Sequence, residues 1–458
     1  MHYARRFVDG WREDADIIAI AFLVAHVFSS FGFPFATFFQ PGIYWPDLAP
    51  YRPIQILAAL AVLLTIGARA AFNRSLVFRH PAVNYVLAFV VVQAISVYRS
   101  GLSAILSEFL FWSTQALFVL VSLWIISDAR ALKRYVWGMV CGSMWIVAWG
   151  LWAVHAGIET ENGGRAGAYG MYENHNDYSF IIVQTLPFIY VLWKGERGPK
   201  RWFLFASLLA CLAGIALSLS HEGMIALVLE VALIVIVTMT PRARWVMLPL
   251  VAILGAGAIS YQYIKRAQNQ GDSYTAEDAE TSRQELWRAG YAMITAHPIL
   301  GIGSRTFGEQ AMDYGEISHD NRGKNSHNTY IEVAATSGLV GFFLFMRMLW
   351  SAIRELRGPP PGPGDEWELQ VRKAALIALL TICFRALFDA KSWDWSFYVL
   401  IVIAVSGGAL LRSRASVAAA AALSPPHAPG DVPPPANPLP PTNHLPPTNH
   451  LPAHPSQR

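Results

Sequence analysis

The sequence predicts an all-α, polytopic membrane protein, and three observations predict it. The chain is 54% hydrophobic and 14% charged, against roughly 45–50% and about 25% in soluble domains. Apolar runs of about 20 residues, the length that crosses a bilayer, recur along it. Its Lys and Arg residues crowd into alternate loops, as they do when successive loops face opposite sides of a membrane.

The elements follow in order. Residues 1–16 carry Arg5, Arg6 and Arg12 but lack a small-residue cleavage site, so the next apolar run reads as a retained first span. Spans are predicted at 17–39, 53–72, 82–98, 104–127, 135–156, 178–194, 202–219, 223–240, 244–262, 328–350, 374–390 and 394–412, twelve in all. With the N-terminus inside, the inner loops carry Arg5, Arg6 and Arg12, then Arg69, Arg74 and Arg79, and so on to Arg412 and Arg414. The short outer loops hold only Arg52, Arg99, Arg165 and Lys391, which puts both termini in the cytoplasm.

Two outer segments are too long to be connectors, 155–177 and 263–327, and loops of that length commonly carry function. Within the second, "SRQELWRAGYAMITAHP" reads as a helix. Ser282 and Glu285 form a capping box, Leu286, Trp287, Tyr291 and Ile294 recur at helical spacing, and His297-Pro298 ends it. From 415 the chain is Pro-rich with a repeated LPPTNH, a composition that cannot bury enough apolar surface to order itself; a disordered cytoplasmic tail is expected. The domain plan is thus 1–16 cytoplasmic, 17–414 transmembrane and 415–458 tail. Cys141, Cys211 and Cys383 lie far apart in apolar runs, without zinc-site spacing. The net charge of +4 gives no footing for nucleic acid, and no cofactor is expected; the lipid bilayer is the first partner.

The candidate chemistry lies at "KNSHNTYIEVAATSGLVGFFLF". His327 stands where the tenth span begins, at the positive end of a helix that favours anions. Below it Ile331, Ala334, Gly338 and Gly341 form a stripe of mostly small residues that would let a neighbouring helix pack closely. An imidazole with an ordinary pKa near 6.5 suits proton abstraction at neutral pH. The plain alternative is a histidine that merely caps the helix. Asn174, His175, Asn176 and Asp177 open the sixth span, where one of them would serve as N-cap. Glu230 falls inside the eighth span, and Arg385 and Asp389, four apart on the eleventh, are expected to pair.

"SHNTYIEVAATSGLVGFFLF" resembles the His-Asn…Gly-x-x-Gly signature of the bacterial O-antigen ligase and polymerase superfamily. "SRQELWRAGYAMITAHPILGIGSRTF" is similar to its Arg-x-x-x-Trp…His-Pro-(apolar)-Gly-(apolar)-Gly stretch, and "GRAGAYGMYENHNDYSFIIVQTLPF" to its Gly-rich loop and following span. Twelve spans with a large outer loop between the ninth and tenth is also the family's GT-C-like layout. The resemblance, over roughly 155–400, implies a metal-independent glycosyltransferase of the inner membrane. Such an enzyme moves a glycan from an undecaprenyl-diphosphate carrier to an acceptor hydroxyl on lipid A-core, protein or another glycan. It implies His327 as base and Arg283 as the loop arginine that binds the diphosphate, since a guanidinium fork matches phosphate oxygens. Arg165, Arg288 and Arg305 are further diphosphate candidates; His221, Asn174, Asn176 and Asp389 are supporting ones.

In one place the sequence departs from the family. After the seventh span the family shows Ser-Arg-(small), whereas "SLSHEGMIAL" has His221 at the arginine's position and Glu222 beside it. Two other functions stay open: a repeat-unit polymerase of the same superfamily, and a polysaccharide or lipid transporter, which Glu230 would favour.

Overall fold

The structure, a computed structural model, describes residues 28–39, 56, 59–64, 66–67, 80–158, 165–169, 172–270, 276–358 and 366–423. The predicted N-terminal segment, much of the first two spans and the Pro-rich stretch from 424 lie outside the described residues. Among the described residues the regular structure is helical throughout. After a helical stretch at 28–39, the helices are α1 (Pro81–Ser96), α2 (Leu102–Ile125), α3 (Ala129–His155), α4 (His175–Gly195), α5 (Pro199–Ser218), α6 (His221–Thr238), α7 (Pro241–Gln270), α8 (Ala276–Ala296), α9 (Phe307–Tyr314), α10 (Thr329–Leu356), α11 (Glu366–Arg385) and α12 (Trp395–Leu423). The chain divides into two compact units, Met1–Ser413 and Arg414–Arg458. Of the second, the described part is the end of α12, which stays helical through the alanine-rich run to Leu423, beyond the predicted boundary at 415.

Seven of these helices are long and apolar enough to cross a membrane: α2, α3, α5, α6, α10, and the parts of α7 and α12 at Pro241–Lys265 and Trp395–Arg412. Pro81–Ser96 is apolar but shorter. The predicted spans at 178–194 and 374–390 correspond to α4 and α11, helices of about the right length with more polar sequences. On α7 the large residues Trp245, Val246, Ile253 and Leu254 are all exposed, as a helix facing lipid requires. At the centre, Phe89 of α1 meets Trp112 and Phe345 at ring-centroid distances of 5.4 and 5.7 Å, and Phe345 meets Phe397 at 5.6 Å. This aromatic column ties α1, α2, α10 and α12 together.

Two sequence expectations change in the fold. The helix expected from Ser282 already begins at Ala276, so Ser282 and Glu285 cap nothing. The Ser282 hydroxyl donates to Asn321, and Glu285 accepts from the Ser318 amide (3.1 Å) and the Asn321 side chain (2.9 Å), stitching α8 to the loop before α10. The second change is in α10, which is not one rod. Gly338 has φ 67°, ψ −175°, and splits it into 329–337 and 339–356. At 1.5 Å per residue the first part is about 13 Å long and the second about 27 Å, so only the second approaches the thickness of a bilayer's hydrocarbon core.

The His-Pro-Ile-Leu-Gly-Ile-Gly segment, 297–303, docks into this break. The Ile302 and Gly303 amides donate to the carbonyls of Ala335 and Thr336 at 2.9 and 3.0 Å, and the Leu339 amide donates to Pro298 O at 2.8 Å. Helix ends leave backbone groups unpaired, and the docked segment supplies partners for them. Its own glycine at 301 (φ 71°) lies where a Cβ would strike the backbone of Ala335 and Thr336. A small apolar cluster of Leu286, Met293, Phe307 and Ala335 holds α8 and α9 against the first part of α10.

Candidate functional site

Three helix starts meet at one pocket. Each is capped by its own side chain: Asn174 accepts from the Asn176 amide at the head of α4, Ser220 from the Gly223 amide at α6, and Asn328 from the Tyr330 and Ile331 amides at α10. The cap of α10 is therefore Asn328, and His327 precedes it. The pocket, about 470 Å³, is lined by Asn174, Asn176 and Asp177 from α4, Glu222 from α6, Lys324 and His327 from the loop before α10, and Asp389, Lys391 and Trp393 from the loop between α11 and α12. Three positive helix ends in one place favour an anionic ligand.

His327 has φ 50°, a left-handed backbone that non-glycine residues seldom adopt and that persists only where the surroundings enforce it. Here they do. Trp287 Nε1 of α8 donates to Ser326 O at 3.0 Å, and the Ser326 amide donates to Glu332 at 2.9 Å. On the other side the Thr329 amide and hydroxyl donate to Asp389 O at 2.9 and 2.6 Å, while the Lys391 amide donates to Thr329 Oγ1 at 2.9 Å. The histidine is thus fixed between two loops. Burial pushes its pKa below the ordinary value; Asp389 opposes that shift, and Arg283, Lys324 and Lys391 reinforce it. The ring is held in the neutral form that a general base needs.

Arg283, on α8, ion-pairs with Glu222. Lys391 pairs with Asp177 at 2.9 Å and lies over the Trp393 ring at 5.0 Å. Burial would depress its ammonium, but Asp389, Asp177 and Asp394 outweigh burial and hold the pKa above the ordinary value. Arg385 does not pair with Asp389. Helix α11 ends at Arg385, so the four-residue spacing no longer places the two on one helix face. Arg385 lies instead 3.8 Å from Glu222, donates to Asn176 O at 3.1 Å, and stacks over Phe180.

The remaining candidates lie elsewhere. Arg165 is buried and donates to the carbonyls of Ser218 and Leu219 at 3.0 and 2.7 Å, closing the end of α5 where Leu219 turns left-handed (φ 48°). It therefore supports the turn that leads into Glu222. His221 packs against Tyr263, with ring centroids 5.2 Å apart. Arg305 forms a salt bridge with Glu108 at 2.6 Å and stacks on Phe111, and Arg288 is exposed on α8. Glu230 is wholly buried, two turns further along α6 from Glu222, and both its oxygens are without hydrogen-bond partners among the described residues. Sequence reading gave no role to Trp393 and treated Lys391 only as a topological marker. The signal available was the outer loop "AKSWDW", which carries a cation and two tryptophans in a few residues.

Long apolar helices whose ends converge on a charged pocket mark a multi-pass membrane protein. Residues 205–346 match the family described as O-antigen ligase, and the resemblance to the O-antigen ligase and polymerase superfamily is thereby shown over that stretch. The match includes His221, Glu222, Arg283 and His327, and supports glycan transfer of the ligase or polymerase type by a glycosyltransferase-like enzyme. No curated protein matches the chain.

Proposed function

We propose that the protein transfers a glycan from an undecaprenyl-diphosphate carrier to an acceptor hydroxyl, on the periplasmic side of the bacterial inner membrane. The observation that carries the reading is the pocket itself. It joins a buried histidine, its pKa lowered by burial, to Lys324, Lys391 and three helix N-termini, within and beside the stretch that matches O-antigen ligase. In this reading the acceptor oxygen attacks the anomeric carbon of the donor sugar and its proton passes to His327. The anomeric carbon–oxygen bond breaks, and the diphosphate leaves with the electron pair. Arg283 and Lys324 receive that charge through charge-assisted hydrogen bonds. Asp389 stabilises the imidazolium as it forms. Arg283 is itself behind the lining and reaches the pocket through Glu222, Arg165 is a positioning residue, and Arg305 is paired with Glu108 outside the lining, as Arg288 is outside it. Twelve spans in a GT-C-like arrangement with both termini cytoplasmic complete the proposal, and the basic bias of the inner loops supports that orientation.

The test is His327→Ala in a deletion strain. Glycan transfer should be lost while protein level and membrane insertion stay normal; full transfer by that variant overturns the assignment. The glycans left in the deletion strain sort the two chemistries. Long chains retained on the carrier indicate a ligase, and single repeats indicate a polymerase.

A further inference from the structure

Arg385 is a buried charge beside the pocket. Its side chain is 1% exposed and stacks over Phe180, yet its Nε and Nη1 groups have no hydrogen-bond partner among the described residues. A buried guanidinium with idle donors is expensive unless something completes its shell. The third nitrogen, Nη2, reaches two residues that line the pocket, the Asn176 carbonyl at 3.1 Å and Glu222 at 3.8 Å. Glu222 is held on its other side by Arg283, so one carboxylate faces two guanidiniums. Its own Oε2, the oxygen toward Arg385, is unbonded as well. The lining cations are Lys324 and Lys391, and the guanidiniums of Arg283 and Arg385 stand behind the lining carboxylate Glu222.

We infer that Arg385 and Arg283 together form a two-guanidinium clamp for the donor's diphosphate, and that Glu222 is a resident stand-in for that group until the donor arrives. The inference rests on the diphosphate-linked donor of the proposed function. A diphosphate offers several acceptor oxygens where a carboxylate offers two, and it can occupy the donors that Glu222 leaves idle. When it enters, the carboxylate must withdraw from between the two arginines. Glu222 therefore competes with the ligand rather than recruiting it.

The experiment is calorimetric titration of the full chain in lipid nanodiscs with farnesyl diphosphate, and with farnesyl monophosphate as control. Glu222→Gln removes the competing charge and is expected to tighten diphosphate binding by about tenfold, with a smaller effect on the monophosphate. In that background, where Arg385 no longer has a carboxylate to neutralise, Arg385→Gln should weaken binding by tenfold or more. Arg385→Lys should fall between. Equal binding by Glu222→Gln and Glu222→Gln/Arg385→Gln would reduce Arg385 to a counter-ion of Glu222 and overturn the clamp. So would a Glu222→Gln variant that binds no tighter than wild type, a result that requires no change at the buried arginine. Failure of every folded form, wild type included, to bind farnesyl diphosphate overturns both the clamp and the diphosphate-linked donor. Binding that ignores Glu222 and Arg385 overturns the clamp alone.

Discussion

Gly338→Ala is the change that most directly probes how the site is built. The residue's φ of 67° and ψ of −175° fall in a region open almost only to glycine, and forcing another residue there costs about 1–3 kcal/mol. A Cβ would also strike the carbonyl of Ile299 and the amide of Leu300. Overpacking against backbone adds about 1–3 kcal/mol more, since backbone yields less readily than a flexible side chain. The sum, about 2–6 kcal/mol, falls on the docking of 297–303 into the break. Relief by undocking would free the backbone bonds from Ile302, Gly303 and Leu339, each worth about 0.5–1.5 kcal/mol net, so neither state escapes the penalty. The purified variant should unfold at a lower temperature in detergent, be cut faster by protease near 298–303, and transfer less glycan. Gly257→Ala is the control. It sits on a helix with open space around it, and alanine there should be neutral or stabilising by up to about 1 kcal/mol. A Gly338→Ala protein with wild-type melting, cleavage and transfer would refute the broken helix.

Other outcomes follow from the same geometry. The acid limb of kcat/KM against pH should have its midpoint below 6.5, because burial lowers the His327 pKa and only the neutral ring accepts a proton. Asp389→Asn removes the group that raises that pKa and should move the limb to lower pH, whereas Lys324→Gln removes one that lowers it and should move the limb up; shifts in one common direction would contradict this electrostatic scheme. Arg283→Lys should transfer at least tenfold more slowly, since an ammonium cannot reproduce the guanidinium fork; wild-type rates would exclude Arg283 from the diphosphate. Arg165→Ala should destabilise the turn at Leu219 and lower the melting midpoint together with activity, and a loss of donor affinity at unchanged stability would reassign it to the ligand. Transfer should persist in EDTA, and a strict requirement for added divalent metal would point to a different mechanism.

Much of this was legible in the sequence because local physics decided it. Apolar runs became helices, His297-Pro298 ended α8 at Ala296, and Asn174 took the cap at the head of α4. His327, Asn174, Asn176 and Asp389, chosen from spacing and family pattern, line one pocket, with Arg283 paired to another lining residue. The failures involve partners remote in sequence. Gly338 reads as part of a small-residue packing stripe, and only the docking of 297–303 reveals it as a break. Ser282 and Glu285 match a capping box, but the helix continues through them because Asn321 and Ser318 occupy their side chains. Arg385 and Asp389 have the spacing of a helical ion pair, and helix α11 stops between them. The partner Arg385 does have, Glu222, comes from a helix that no spacing rule could join to it.

The broken helix also explains why two separate motifs belong to one site. His327 directly precedes a short helical piece held at both ends by loops: at its start by Asp389 O and Lys391 N around Thr329, at its end by Ile302 and Gly303. A straight helix from Thr329 to Leu356 would couple His327 to every tilt of the longer apolar segment. With the break at Gly338 between them, His327 takes its position from the contacts of its neighbours Ser326 and Thr329 with α8 and Asp389, not from the axis of the longer piece. The His-Pro…Gly-x-Gly stretch and the His-Asn…Gly stretch are then complementary halves of a single joint, one supplying the break and the other the backbone groups that satisfy it. Neither half would hold His327 in place by itself, so damage to either should reach it.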